Sequence, residues 1–193
     1  MLSVGKKAPE ISCESVVNGS IKHFSLSAIN GKYKLLFFYP LDFTFVCPTE
    51  LHALQDRLSD FTARNVEVIA ISVDSVYSHT AWLDVPRSKG GIAGVTYPML
   101  GDITKTIARD YGVLHEELGV ALRGVFLLDK DNVVQYAAVN NLALGRNIAE
   151  LLRVVDALVH VQQVGEVCPA NWETNHKALK PNAEGLKEYF ASV

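Results

Sequence analysis

Of the chain's three cysteines, two, Cys47 and Cys168, occupy the same tripeptide, V-C-P. A thiol does chemistry as the thiolate, which is a nucleophile or a metal ligand. No C-x-x-C pair and no Cys/His grouping at zinc spacing is present, so a zinc site is not indicated. An odd count also speaks against a structural disulfide framework, which leaves buried thiols or reactive ones. A lone cysteine is ordinarily a small core hydrophobe, and Cys13, with no motif around it, is read as structural.

The surroundings of Cys47 point to reactivity. It follows the apolar run KLLFFYP, which reads as a strand buried on both faces. After it Leu51, Leu54, Leu58 and Phe61 recur at helical spacing. Proline is favoured at the first helical position, so Pro48 at N1 makes Cys47 the N-cap and puts Glu50 at N3. Unpaired N–H groups and partial positive charge at a helix start favour thiolate over thiol. Glu50 opposes that effect if it faces the sulfur, so a cation is needed nearby. Arg123, at the head of the apolar strand RGVFLLD, is the best candidate; a strand-edge arginine in solvent reads equally well. Thr44 can bring a hydroxyl to the same place. Cys168, in GEVCPANW, lies in a stretch without helical periodicity, where Pro169 keeps the backbone extended.

The elements that must position these groups follow from periodicity and turn signals. Asn18-Gly19 and Asn30-Gly31 mark turns in the opening stretch. EVIAISV is a second buried strand, 76–83 a short helix and SKGGIAG a loop. Residues 104–111 form another helix, capped by Asp102 or Thr104. RGVFLLD and VVQYAAV are two strands joined at Lys130-Asp131-Asn132. Ile148, Leu151, Leu152, Val155, Leu158 and Val159 mark a long amphipathic helix, and a short helix near 186–190 closes the chain. The order β-α-β-α-α-β-β-α gives an α/β domain over residues 1–164 with a central mixed sheet, followed by an extended C-terminal arm over 165–193.

Composition narrows the function. With 193 residues, 49% hydrophobic and 20% charged, the chain can build one full core. The net charge is −3 and no basic run occurs, so neither nucleic acid nor an anionic membrane is an expected partner. LLFFYPL is too short to span a bilayer, and MLSVGKKAPEISC lacks the apolar stretch of a signal peptide; a cytoplasmic location is expected.

YPLDFTFVCPTEL resembles the active-site segment of the peroxiredoxins, with a P-x-x-x-T-x-x-C pattern at Pro40, Thr44 and Cys47. GEVCPANW resembles the second-cysteine segment of the typical two-cysteine group, which includes alkyl hydroperoxide reductase C and the thioredoxin peroxidases. ALRGVFLLD and NNLALGRNIAELLRVVDAL resemble the family's arginine-bearing strand and the loop and helix after it, so the likeness spans about residues 6–190. The resemblance implies a thioredoxin-like fold and a thiol-dependent peroxidase acting on hydrogen peroxide and organic hydroperoxides. Cys47 would be the peroxidatic cysteine, Thr44 and Arg123 would hold the peroxide, Pro40 would shield the sulfur, and Glu50 and Arg146 would orient Arg123. Cys168 would be the resolving cysteine, reaching Cys47 of the partner subunit. A homodimer built through VVQYAAV, often a decamer of five dimers, and reduction by thioredoxin or a flavoprotein disulfide reductase come with the family; no metal, haem or flavin does. Phe43 and Phe45 would belong to a dimer–dimer contact. KGGIAG and KEYF resemble the glycine loop and Tyr-Phe tail of members that are easily overoxidised. The departure from G-G-L-G and the short tail imply intermediate sensitivity.

Two other functions compete. A Cys-His acyl transferase or protease needs a histidine within reach of Cys47 and gives Cys168 no task. A holdase chaperone needs no Cys47 chemistry at all. His52 reads as a partly exposed packing histidine, and His23, His79, His115, His160 and His176 as structural. The Asp129–Asn132 cluster is a hairpin turn, since it lacks the length and closing Glu of a calcium loop. Trp82 and Trp172 read as packing anchors, the latter pinning the arm.

Overall fold

Asn18 and Gly19, both at positive φ (49° and 72°), close a hairpin in the computed structural model, which describes residues 3–192. The hairpin joins β1 (Ser12–Val17) to β2 (Ser20–Ser25). Only the turn is visible in the sequence, because few side chains on either strand are buried and the period-2 signal is faint. The run KLLFFYP gives β3 (Tyr33–Phe38), buried at every position. Lys34 is the one charged residue in it, and its Nζ donates to Lys130 O at 3.3 Å.

The leucine pattern after Cys47 is two helices rather than one. α1 (Cys47–Asp56) and α2 (Leu58–Ala63) part at Arg57, whose φ of −113° and ψ of 11° leave the helical region. Arg57 N bonds Leu54 O, a tightened last turn, and Arg57 O then accepts from Asp60 N and Phe61 N to start α2. EVIAISV is β4 (Val66–Ser72), and α3 (Val76–Leu83) falls where the sequence places it. β5 (Met99–Gly101) follows. α4 (Thr106–Asp110) is shorter than expected, and Lys105 rather than Asp102 or Thr104 takes its N-cap position; the Asp102 carboxylate still accepts from Ile107 N and Ala108 N at 3.1 and 2.7 Å. A small ribbon of β6 (Leu114–His115) and β7 (Val120–Ala121) leads into β8 (Arg123–Leu128) and β9 (Val134–Asn140). Asp129 Oδ1 organises the β8–β9 turn by accepting from Asp131 N and Val133 N, both at 2.9 Å.

One seven-stranded sheet results, in the order β2-β1-β5-β4-β3-β8-β9. β3, β4 and β5 run parallel and the remaining pairs antiparallel, so the sheet is mixed. Its central strands are apolar on both faces, as strands covered on both sides must be. Leu36, Phe38, Ile69, Ile71, Phe126 and Leu128 belong to one buried cluster. Each such side chain, fully buried, stabilises the fold by about 1.5–3 kcal/mol. The register brings the ends of β3 and β8 together, pairing Phe37 with Val125; Pro40 follows one strand and Arg123 begins the other.

By contact the chain divides into two compact units, Met1–Arg146 and Asn147–Val193. The second contains α5 (Ile148–Val164), capped by Asn147 Oδ1 through Ala149 N and Glu150 N, and α6 (Ala183–Phe190). α5 groups with the arm because the arm bonds back to it: Arg153 Nη1 donates to Trp172 O at 3.0 Å, and the His160 and Trp172 rings lie 4.8 Å apart. Among the described residues no helix is long and apolar enough to cross a membrane.

Candidate active site

Cys47 is the first residue of α1, and Val46, already helical at φ −80° and ψ −37°, takes the cap position. The sequence reading puts the cap one residue later, on Cys47, and Pro48 at N1. Pro48 is instead at N2 and Glu50 at N4; proline is still tolerated, since first-turn N–H groups have no intrahelical partner. Cys47 therefore remains in the electropositive first turn, and it is wholly buried (0% exposed).

Arg123 is buried at 3% exposure, which decides against the solvent-facing reading. β8 lies inside the sheet, so an arginine at its head cannot reach solvent as an edge residue would. Its Nη1 lies 3.4 Å from Cys47 Sγ and donates to Glu50 Oε2 at 2.8 Å, and its Nε donates to Leu142 O at 2.7 Å. Arg146 grips the same carboxylate with Nε on Oε1 and Nη2 on Oε2, both at 2.9 Å, and its backbone N adds a bond at 2.8 Å. Arg146 Nη1 donates to Phe38 O and Gly124 O, and the guanidinium lies 3.3 Å over the Phe37 ring. Burial pulls the Arg146 pKa below its usual value, against the pull of Glu50. Two cations thus face one carboxylate, leaving one net positive charge beside the sulfur.

Thr44 Oγ1 donates to Leu41 O at 2.8 Å rather than to the sulfur. Its one proton is used, so the oxygen is left as an acceptor. Pro40, Thr44 and Arg123 line one cavity of about 630 Å³, walled mostly by apolar side chains such as Val46, Leu118 and Val120. Cys47, Glu50 and Arg146 do not wall that cavity; Arg123 links the two groups, lining the cavity while it contacts Cys47 Sγ and Glu50. Cys168, in the second unit, is partly buried, with its Sγ 3.7 Å from Ala157 O. Burial raises its pKa above the ordinary thiol value, Arg153 opposes and Glu166 adds to the rise.

The chain matches the AhpC/TSA family over residues 4–137 and the C-terminal domain of 1-Cys peroxiredoxin over 157–192. It is 47% identical to the chloroplastic 2-Cys peroxiredoxin BAS1 of Hordeum vulgare, over 98% of this chain and 91% of that protein. The chain belongs to the peroxiredoxin family, in its 2-Cys group. It is 50% identical to the mitochondrial thioredoxin-dependent peroxide reductase of Mus musculus, over 99% of this chain and 74% of that one. The reduced 2-Cys peroxiredoxin of Plasmodium vivax superposes with a TM-score of 0.96 at 46% identity, covering 100% of both chains. The thioredoxin-like fold with its central mixed sheet is that of these peroxiredoxins, and membership makes the chain an enzyme, a thiol-dependent peroxidase. A holdase as principal role is not favoured.

Three polar residues of this peroxiredoxin escaped the sequence reading. His52 is not partly exposed but buried, with Nε2 2.9 Å from Gly91 O; α1 is covered on nearly all sides, which a one-face helical pattern does not convey. His79 and Asp42 form a buried pair at 2.8 Å. The spacing Val76, His79, Trp82 on one face of α3 is the signal that could have found it.

Proposed function

We propose that Cys47 is the peroxidatic cysteine and that its thiolate attacks the terminal oxygen of a hydroperoxide. The S–O bond forms as the O–O bond breaks; sulfur is oxidised to a sulfenic acid, and the leaving oxygen takes a proton to become water or an alcohol. Arg123, fixed by Glu50, Arg146 and Leu142 O, stabilises the charge that develops along the breaking bond. Thr44 Oγ1, whose own proton is given to Leu41 O, accepts a hydrogen bond from the hydroperoxide O–H, and Pro40 shields the site. Lowering a thiol's pKa also lowers its nucleophilicity, so the positioned donors, more than acidity, supply the rate. The observation that carries this reading is the 3.4 Å approach of Arg123 Nη1 to a buried Cys47 Sγ.

Cys168 of the partner subunit then condenses with the sulfenic acid, releasing water and leaving an intersubunit disulfide. A dithiol restores both thiols; the mouse relative's name supports thioredoxin, and a flavoprotein reductase is the other member of the proposal. β9, last in the sheet, supports a homodimer joined at that edge, five of which make a decamer. The arm, 165–193, is the segment that carries Cys168 to its partner. A cycle that needs both thiols restored after each turnover suits a reducing compartment, and we place the enzyme in the cytoplasm. The test is hydroperoxide turnover coupled to thioredoxin and its reductase. Cys47→Ser should abolish it, and Cys168→Ser should stop multiple turnover while sparing a single oxidation. Turnover unaffected by Cys47→Ser would overturn the reading.

A further inference from the structure

Asp42 is a buried acid that the proposed chemistry does not use; its side chain is 1% exposed. Burying a carboxylate is costly unless donors offset the loss of water. Three do so here. Tyr39 Oη donates to Oδ1 at 2.8 Å, and Ser78 Oγ and His79 Nδ1 both donate to Oδ2 at 2.8 Å. The Asp42 backbone N donates in turn to Asp74 Oδ2 at 2.9 Å. Tyr39 directly follows β3, whereas Ser78 and His79 belong to α3. One carboxylate therefore ties the turn after β3 to that helix.

The backbone beside Asp42 is strained. Phe43 has a φ of 55°, a region that a bulky side chain adopts only where its surroundings impose it. Its ring packs on the buried Trp82 of α3, with centroids 5.7 Å apart. α3 thus holds two consecutive residues of the turn, one by its carboxylate and one by its ring. The next residue is Thr44, which the turn brings back far enough for Oγ1 to give its proton to Leu41 O. The free side of that oxygen is what the cavity presents to a hydroperoxide.

We propose that Asp42, held by Tyr39, Ser78 and His79, is a positioning residue for Thr44: it keeps the turn in its strained form and so fixes the hydroxyl as an acceptor for the substrate O–H. The proposal rests on the part given to Thr44 in the peroxidase reading. Without the carboxylate, Phe43 relaxes toward negative φ and Thr44 leaves Leu41 O. The sulfur keeps its place beside Arg123, whose own anchors, Glu50 and Leu142 O, lie outside the turn.

The experiment is stopped-flow oxidation of Cys47 by hydrogen peroxide, paired with alkylation of Cys47 by iodoacetamide across pH. The variants are Asp42→Ala, Asp42→Asn, Thr44→Val and the double variant of Asp42→Ala with Thr44→Val. Asp42→Ala should slow oxidation about tenfold, the upper range for one neutral hydrogen bond. Asp42→Asn can keep all three contacts, its oxygen accepting from Ser78 and His79 and its amide donating to Tyr39 Oη, and should stay within about twofold of wild type. The pH midpoint of alkylation should stay fixed, whereas a general loosening of the site would move it. In the Thr44→Val background Asp42→Ala should cost less than about twofold more, since two residues acting through one contact are not additive. Equal losses in both backgrounds would overturn the proposal, as would a shifted alkylation midpoint or an Asp42→Asn as slow as Asp42→Ala. Should Asp42→Ala fail to fold, Ser78→Ala, which removes one donor from Oδ2, decides in the same two backgrounds, with a loss of about threefold expected in the first. If Thr44→Val is itself oxidised at the wild-type rate, the part given to Thr44 falls and the proposal with it; equal losses beside a slowed Thr44→Val overturn the proposal alone.

Discussion

At the residue scale the account depends on one carboxylate between two arginines. Glu50→Gln keeps the shape but leaves two buried guanidiniums without a counter-charge. Breaking such a pair typically costs about 3–5 kcal/mol, so a urea titration should show a loss of that order, together with at least a tenfold fall in peroxidase kcat/KM. An unchanged midpoint and rate would contradict the role given to Glu50. The three thiols should also separate by reactivity. Burial, then the charges of Asp102 and Glu14, push the Cys13 pKa up to about 12. Alkylation mapped by mass over pH 7–10 should therefore leave Cys13 unmodified in the folded protein; labelling that rises with pH in this range would refute it. The closeness of Pro40 and Thr44 to Cys47 was legible because the P-x-x-x-T-x-x-C pattern fixes their spacing along the chain. The burial of Arg123 was not, because it depends on where β8 falls in the sheet, which no local pattern encodes.

At the element scale the buried strands β3, β4 and β8 and the helix α3 were legible from continuous apolar runs and helical periodicity. The β1–β2 hairpin was not, since it buries too few side chains to alternate. The division of α1 from α2 was also hidden, because Leu51, Leu54, Leu58 and Phe61 keep helical spacing across the break at Arg57. The polar contacts between elements were the least visible. On α3, His79 Nδ1 faces Asp42 Oδ2 at 2.8 Å and Nε2 faces Leu100 O at 3.1 Å. Both ring nitrogens thus meet acceptors, which fits the imidazolium. Burial lowers the His79 pKa, but Asp42, the Leu100 carbonyl and nearby Asp74 outweigh it, and the net shift is upward from 6.5. With the folded pKa above the unfolded one, the stabilisation is full below about pH 6.5 and is lost as pH rises through the folded pKa. The Tm difference between wild type and His79→Gln should therefore shrink as pH is raised from 6 to 9. A difference that stays constant or grows would contradict this.

At the scale of the whole molecule the sheet ends in β9, and Val139 on that strand is 48% exposed. Val139→Asp should weaken the dimer at least about tenfold in sedimentation velocity, without unfolding the chain. An unaltered dimer would move the interface elsewhere. The central claim is that a buried Cys47, activated beside Arg123, is oxidised by peroxide and resolved by Cys168 of the partner subunit. The most direct measurement is intact mass and a non-reducing gel for wild type and Cys168→Ser after about one equivalent of hydrogen peroxide. The account predicts a covalent dimer for wild type, and for Cys168→Ser a monomer bearing a dimedone-reactive sulfenic acid on Cys47. A wild-type chain that gains only a sulfenic acid or an intrachain disulfide would contradict it.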